Sequence, residues 1–302
     1  MLVSSDEIHH RNNLGTNKTV DFIGIGAQKA GTSWLFRRLE ELPEFSLPPI
    51  KELHYFDRNR KYDSPHTLAH SNLLLKLCNF WWLKNLNRRL LKNIFQDDKK
   101  HLNWYFNYFF SNYNDSFYLN LFEGLNGIKG EVSPSYSMLE IDDIQNIHEL
   151  LPQLNLVLLL RDPIDRAWSH YNYINPKDKI LDLAHFKSFI NAPKQEKRSN
   201  YIEIINNYTS VFPKEQLFIG FYDQIKVQPQ QLLENVVSFL GGDARQVAKY
   251  CQLDKRNNVN KDKAEIPGHY LEELKMKYEP IIRELSASLN GYACQWQDLY
   301  FE

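Results

Sequence analysis

A short apolar run, Phe22 to Ile25, stops at a loop that carries Gly26 and Gly31, and a helical pattern opens at Trp34, Leu35 and Leu39. A run of that kind reads as a strand buried in a parallel sheet, which needs helices to cover it. Strand, glycine turn and helix N-terminus in that order also make an anion site. Free backbone N–H groups and the positive end of the helix dipole converge on whatever sits there. Gln28, Lys29, Ala30, Gly31, Thr32, Ser33 and Trp34 are the candidate cradle. Lys29 adds a full charge, Thr32 and Ser33 add hydroxyl donors, and a phosphate is the natural occupant. The plainer reading is a turn that only joins strand to helix.

The loop is close to a P-loop but departs from it. In the nucleotidase pattern G-x-x-x-x-G-K-[ST] the lysine follows the second glycine and, with the Ser or Thr, serves a β,γ-phosphate and its magnesium. Here Thr32 follows Gly31 and the lysine lies inside the loop, at Lys29. That placement suits a single 5′-phosphate carrying a leaving group. A second stretch, Leu154–Tyr171, holds a run with no polar residue, Leu156–Leu160, which predicts another strand buried on both faces. It ends in Arg161, where a magnesium-dependent P-loop enzyme often has an acidic metal ligand. Asp162 and Pro163 then read as the N-cap and first residue of a helix. Arg161 is placed at the ligand edge of an open α/β sheet. With Ser169, two helical turns on, it suits a second phosphate; pairing of Arg161 with Asp162 or Asp165 is the alternative.

Q-K-A-G-T-S-W-L at Gln28–Leu35 and L-R-D-P-I-D-R-A-W-S-H-Y at Leu160–Tyr171 together resemble the two nucleotide-binding motifs of sulfotransferases that use 3′-phosphoadenosine 5′-phosphosulfate (PAPS). The first resembles the 5′-phosphosulfate loop and the second the 3′-phosphate site. I-K-E-L-H-Y-F-D at Ile50–Asp57, G-E-V-S-P-S-Y at Gly130–Tyr136 and F-P-K-E-Q-L-F-I-G-F-Y-D at Phe212–Asp223 extend the likeness, which is nearer to heparan-sulfate-type and bacterial enzymes than to the aryl type. The resemblance implies sulfuryl transfer from PAPS to a hydroxyl, with Lys29 at the leaving phosphate oxygen and no metal. It implies Glu52 as general base; His54 stays open, since a histidine is the base in the aryl type. In an extended segment Glu52 and His54 would face the same way. An ion pair of Glu52 with Lys51 or Lys29, and a half-buried, satisfied His54, are the structural alternatives. The resemblance assigns Glu131, Ser133 and Tyr136 to the acceptor pocket, with Lys51, His54, Phe56 and Tyr105 as further candidate contacts. In relatives a basic loop folds over the 3′-phosphate and adenine; Lys261 and Lys263 fall at matching positions, although the usual glycine and arginine are missing there.

The 302 residues suffice for one large α/β domain. A formal charge of −1 gives no reason to expect nucleic acid or an anionic membrane as partner. Three cysteines, Cys78, Cys251 and Cys294, imply no disulfide framework. Residues 1–20 are polar, lack the apolar core of a signal peptide and are expected to form a loose arm. Without the membrane anchor of Golgi relatives, the expected location is the cytoplasm and the expected acceptor a small molecule, with a saccharide or an amine as alternatives.

Residues 64–126 are the least family-like part. Phe80–Phe95 carries four basic residues and no acidic one, with Leu83, Leu86, Leu90 and Ile94 at helical spacing. This predicts packed helices that also wall the acceptor pocket; a lid, or a basic amphipathic surface for a membrane or an anionic acceptor, are the alternatives. Trp81, Trp82, Trp104, Tyr105 and Tyr108 read first as core. The expected architecture is a P-loop-like three-layer α/β domain over 21–302, with a central mostly parallel sheet, helices on both faces and a helical insertion. A magnesium-dependent P-loop kinase and a non-catalytic nucleotide-binding protein are the rival functions.

Overall fold

The computed structural model describes residues 20–91, 101–175, 182–253 and 265–302. Five strands make one sheet: β1 (Phe22–Gly26), β2 (Phe45–Ser46), β3 (Ile128–Val132), β4 (Asn155–Leu160) and β5 (Leu217–Phe221). Their order is β2-β3-β1-β4-β5 and every pairing is parallel. Both predicted apolar runs are strands of its centre. In β4, Leu156 through Leu160 are all fully buried. Successive side chains of a strand point to opposite faces, so both faces of the sheet are covered. At about 1.5–3 kcal/mol for each fully buried aliphatic side chain, β4 is a firm anchor for what hangs from its end.

Parallel neighbours need crossover connections, usually helical. Helix α1 (Thr32–Glu40) follows β1. The insertion supplies α2 (Leu73–Leu77), α3 (Phe80–Asn85), a π-helical turn (Leu86–Leu91), α4 (Leu102–Phe110) and α5 (Asp115–Asn120). Helix α6 (Pro163–Ile174) follows β4, α7 (Tyr201–Thr209) precedes β5 and α8 (Tyr222–Val227) follows it; α9 (Gly268–Ser288) and α10 (Tyr292–Phe301) end the chain. Phe22 pairs with Gly130 of β3 and with Asn155 of β4. This register brings the C-terminal ends of β1, β3 and β4 to one edge. The chain leaves β3 and re-enters at β4 on the far side of β1, so that edge is a topological switch point, where open α/β sheets bind ligands.

Two local expectations are corrected. The helical period fails at Leu83, which is exposed, while Leu86 packs partly buried against the core and Trp82 is fully buried, with its ring against Phe109 and Phe110. Within this segment α3 passes into a π-helical turn at Leu86. Lys51–His54 is not an extended strand; Glu52 and His54 both take positive φ, 65° and 56°. Lys261, Lys263 and residues 1–19 lie outside the described residues.

Candidate active site

The loop from Gly26 to Thr32 leaves β1 at the ligand edge and enters α1 through Gly31. Gly31 has φ 93°, and a Cβ there would lie 2.4 Å from Cδ1 of Ile225, so the turn needs glycine on both counts. No side chain caps α1. Its first N–H groups therefore keep their capacity to bind an anion. Thr32 and Trp34 are buried and Ser33 half-buried at this end. Lys29 itself sits at φ 70°, with Nζ 4.2 Å from the centroid of the Tyr173 ring.

Arg161 arrives from the end of β4. It donates through Nη1 to the Lys29 carbonyl (3.1 Å), pairs through Nη2 with Asp165 (3.3 Å) and lies over the Tyr222 ring (4.5 Å). The sequence alternative, pairing with a nearby carboxylate, is thus realised, but it does not saturate the side chain: Nε is buried with no hydrogen-bond partner. Burial, and then the charge of Arg161, lower the Lys29 pKa. Two cations held together against their own repulsion are what an intervening anion relieves. Asp165, Ser169 and Tyr173 follow at i, i+4 and i+8, one face of α6. Asp165 meets Arg161 and Tyr173 meets Lys29, and Ser169 is half-buried on the same helix face between them. Asp162 caps α6 as expected, accepting from the Ile164 N–H at 2.9 Å.

Glu52 and His54 do converge, by a route other than strand alternation. Glu52 Oε2 lies 3.6 Å from His54 Nε2, and its Oε1 accepts from Lys51 Nζ. His54 Nδ1 lies 2.9 Å from Oδ2 of fully buried Asp57 and 3.3 Å from Ser135 Oγ. Burial alone would raise the Glu52 carboxyl; the His54 hydrogen bond and the Lys51 charge outweigh it and hold it at about 2. Burial alone would lower the His54 imidazole; hydrogen bonds to Asp57 and Glu52 outweigh it and push it up to about 9. At neutral pH the pair is a carboxylate beside an imidazolium. Asp57 was in view only as the last residue of the Ile50–Asp57 motif; its role appears once the chain turns back on itself.

Glu131, Ser133 and Tyr136, expected near the strand edge, are side chains of the interior. All three are buried and lie beneath the Glu52 loop. Glu131 accepts from Ser133 Oγ (2.6 Å), Tyr118 OH (3.0 Å), Tyr136 OH (3.2 Å) and the Leu53 N–H (3.3 Å). The Tyr136 hydroxyl accepts from the Tyr55 N–H at 2.9 Å. The trio therefore holds the backbone that presents Glu52 and His54. Phe56 packs below as well, its ring 4.8 Å from that of Tyr118 and 5.5 Å from that of Tyr136. Tyr105 is buried in the insertion, with its ring centroid 5.5 Å from that of Trp104.

Above the loop is a cavity of about 210 Å³. Lys51, Glu52 and His54 form one wall; Trp81, Lys84 and Arg88 of the insertion form the facing one. The insertion thus lines this cavity with Trp81 and basic residues, and neither Tyr105 nor Phe56 is among its lining.

A parallel sheet with a glycine-bearing loop after β1 and an arginine after β4 defines a P-loop-like α/β domain. The sulfotransferase domain family matches residues 20–284, and the chain belongs to that family. A sulfotransferase from Alicyclobacillus acidocaldarius has a similar fold at 22% identity (TM-score 0.63), covering 92% of this chain and 98% of that one. The sulfotransferase domain of the Synechococcus PCC 7002 olefin synthase is similar at 17% identity (TM-score 0.50), covering 87% and 94%. Among curated proteins none matches the chain in sequence.

Proposed function

We propose that this protein moves the sulfuryl group of PAPS to the hydroxyl of an acceptor held in the cavity, releasing adenosine 3′,5′-bisphosphate. The observation that carries the reading is one sheet edge bearing both halves of the chemistry: the Lys29–Arg161 cation pair on the donor side and the Glu52 carboxylate at the cavity wall. In the transfer a bond forms between the acceptor oxygen and sulfur, and the bond from sulfur to the 5′-phosphate oxygen breaks. The leaving oxygen takes the electron pair, and Lys29 with the N-terminus of α1 stabilises its charge. The acceptor proton goes to Glu52. A carboxylate held at about 2 is a weak base. An acceptor hydroxyl that displaces Lys51 or His54 from it removes the interaction that depresses it, so its basicity returns on binding. His54, anchored by Asp57, positions the carboxylate. Arg161 and Ser169 grip the 3′-phosphate. The positioning and charge stabilisation that such a transfer needs are supplied by these side chains without a metal.

Calorimetric titration with adenosine 3′,5′-bisphosphate, against ATP plus magnesium, tests the donor half. Binding of the bisphosphate in the presence of a chelator, weakened about tenfold or more by Arg161→Ala, is expected. Preference for ATP with magnesium would move the protein to the kinases.

A further inference from the structure

The insertion turns its apolar residues outward. All four leucines of α2 (Leu73, Leu74, Leu75 and Leu77) are exposed, while Lys76 is the residue pointing in. Its Nζ donates to the carbonyls of Phe109 and Ser111, which ties α2 to the end of α4. Beside them Phe80, Trp81 and Leu83 of α3 and Phe106 and Phe110 of α4 are exposed too; Leu74 keeps 73% of its surface open and Phe80 68%. The Phe80 and Trp81 rings stand 5.8 Å apart and those of Phe106 and Phe110 5.8 Å, and buried Trp82, its ring 6.0 Å from that of Phe110, packs the two helices together, so the exposed side chains of α3 and α4 are neighbours. Single exposed leucines need no explanation, but a contiguous patch of this kind marks an interaction site.

Charge says what covers it. Residues 64–114 carry seven lysines and arginines against two acids, Asp97 and Asp98, and Lys84, Arg88 and Arg89 line the cavity beside Trp81. Lys84 lies over the Trp81 ring at 4.9 Å, an apolar stem with its charge carried to the rim. A second copy seated on the face through a two-fold axis would set these cations against themselves. Leucine and aromatic side chains bordered by an excess of lysine and arginine match the interface of an anionic bilayer. No helix among the described residues is long and apolar enough to cross a membrane, so the contact is peripheral.

We propose that the α2–α3–α4 face docks on an anionic lipid surface. Trp81, Lys84 and Arg88 belong both to this face and to the cavity wall. Docking therefore sets the cavity at the headgroup layer, and the acceptor is a hydroxyl on an amphiphile held in that layer. The acceptor clause rests on the sulfotransferase reading; the docking does not.

The test is co-sedimentation of the full chain with phosphatidylcholine vesicles, with and without phosphatidylglycerol. The expected result is binding to the anionic vesicles only, falling with added salt. Leu74→Glu and Phe80→Glu touch neither the cavity nor the donor site. They should abolish sedimentation and leave binding of adenosine 3′,5′-bisphosphate unchanged. Lys84→Gln should weaken sedimentation about fivefold. A wild-type chain that stays in the supernatant, or Glu variants that sediment like it, would overturn the proposal. So would concentration-dependent self-association abolished by Phe80→Glu without any vesicle binding. Bisphosphate binding read on the same samples reports on the donor site alone, so either reading can fail without the other.

Discussion

Glu52 and His54 stand on backbone that side-chain-bearing residues avoid, and the αL region costs such residues on the order of 1 kcal/mol each. The Glu131 carboxylate below, accepting the Leu53 N–H, and the Tyr136 hydroxyl, accepting the Tyr55 N–H, hold the loop in that shape. The two candidate bases can be told apart by pH. A base must be unprotonated to act. Glu52, held at about 2, is ionised throughout the ordinary range, whereas His54, at about 9, is protonated through most of it. If Glu52 is the base, kcat/KM for the acceptor, which reports the groups of the free protein, is flat from about pH 5 to 8. If His54 is the base, kcat/KM climbs tenfold per pH unit over that span. We expect the flat profile, with Glu52→Gln lowering kcat by about 10²- to 10⁴-fold. His54→Asn should give a smaller loss, because it removes a positioning contact. The sequence named both residues but not how they meet. Alternation along a strand was the only local rule available, and the turn that replaces it is imposed by Glu131 and Tyr136, far along the chain.

Among elements, the loop between β1 and α1 was the most legible, because a strand, a glycine turn and a helix start are all written in consecutive residues. The two central strands were equally legible, since burial on both faces removes every polar residue from them. The insertion was legible only in part. Its helices exist, but the apolar stripe taken for a buried face is outward at Leu83 and the buried anchor is Trp82; periodicity measures apolarity and cannot tell core from a docking face. Gly31 allows an element-level test with a matched control. Gly31 and Gly124 both have positive φ, 93° and 74°, but a Cβ at Gly124 meets nothing within 4 Å, whereas at Gly31 it meets Ile225 and Tyr222. Gly124→Ala should cost only the backbone term, about 1 kcal/mol. Gly31→Ala should cost about 1–3 kcal/mol more in urea denaturation. It should also weaken bisphosphate binding by an order of magnitude or more, which Gly124→Ala should not. Equal effects on binding would remove the loop from the donor site.

At the scale of the whole molecule, the charges buried around the site set how stability follows pH. Glu131 and Asp162 are both raised to about 7, chiefly by burial, with hydrogen bonds from Ser133 and Tyr300 offsetting part of the effect. Between about pH 4 and 7 the folded chain keeps protons on them that the unfolded chain has released, so stability falls as pH rises. His54 continues the fall: its contribution is whole below about 6.5 and is lost as pH rises through about 9. His170, lowered to about 4 chiefly by burial, works the other way between about 4 and 6.5, but as one group against two. On the acid side Glu52, at about 2, and the lowered Asp63 lose their contributions as pH drops below about 4. The balance places maximum stability near pH 5, with a decline toward pH 8 of at most about 1.4 kcal/mol per unit for each net proton. The urea midpoint should therefore be higher at pH 5 than at pH 8. Asp162→Asn isolates one component. Asparagine still caps α6, and Tyr300 of α10 can turn its hydroxyl to the amide, so the contact that ties the last helix to the end of β4 survives while the titration does not. That variant should flatten the slope between about pH 4 and 7 and leave the His54 slope above it intact. A wild-type midpoint that rises from pH 5 to 8 would mean that Glu131 and Asp162 are ionised in the folded chain, and that the donor edge and the floor beneath Glu52 carry two more negative charges than their burial allows.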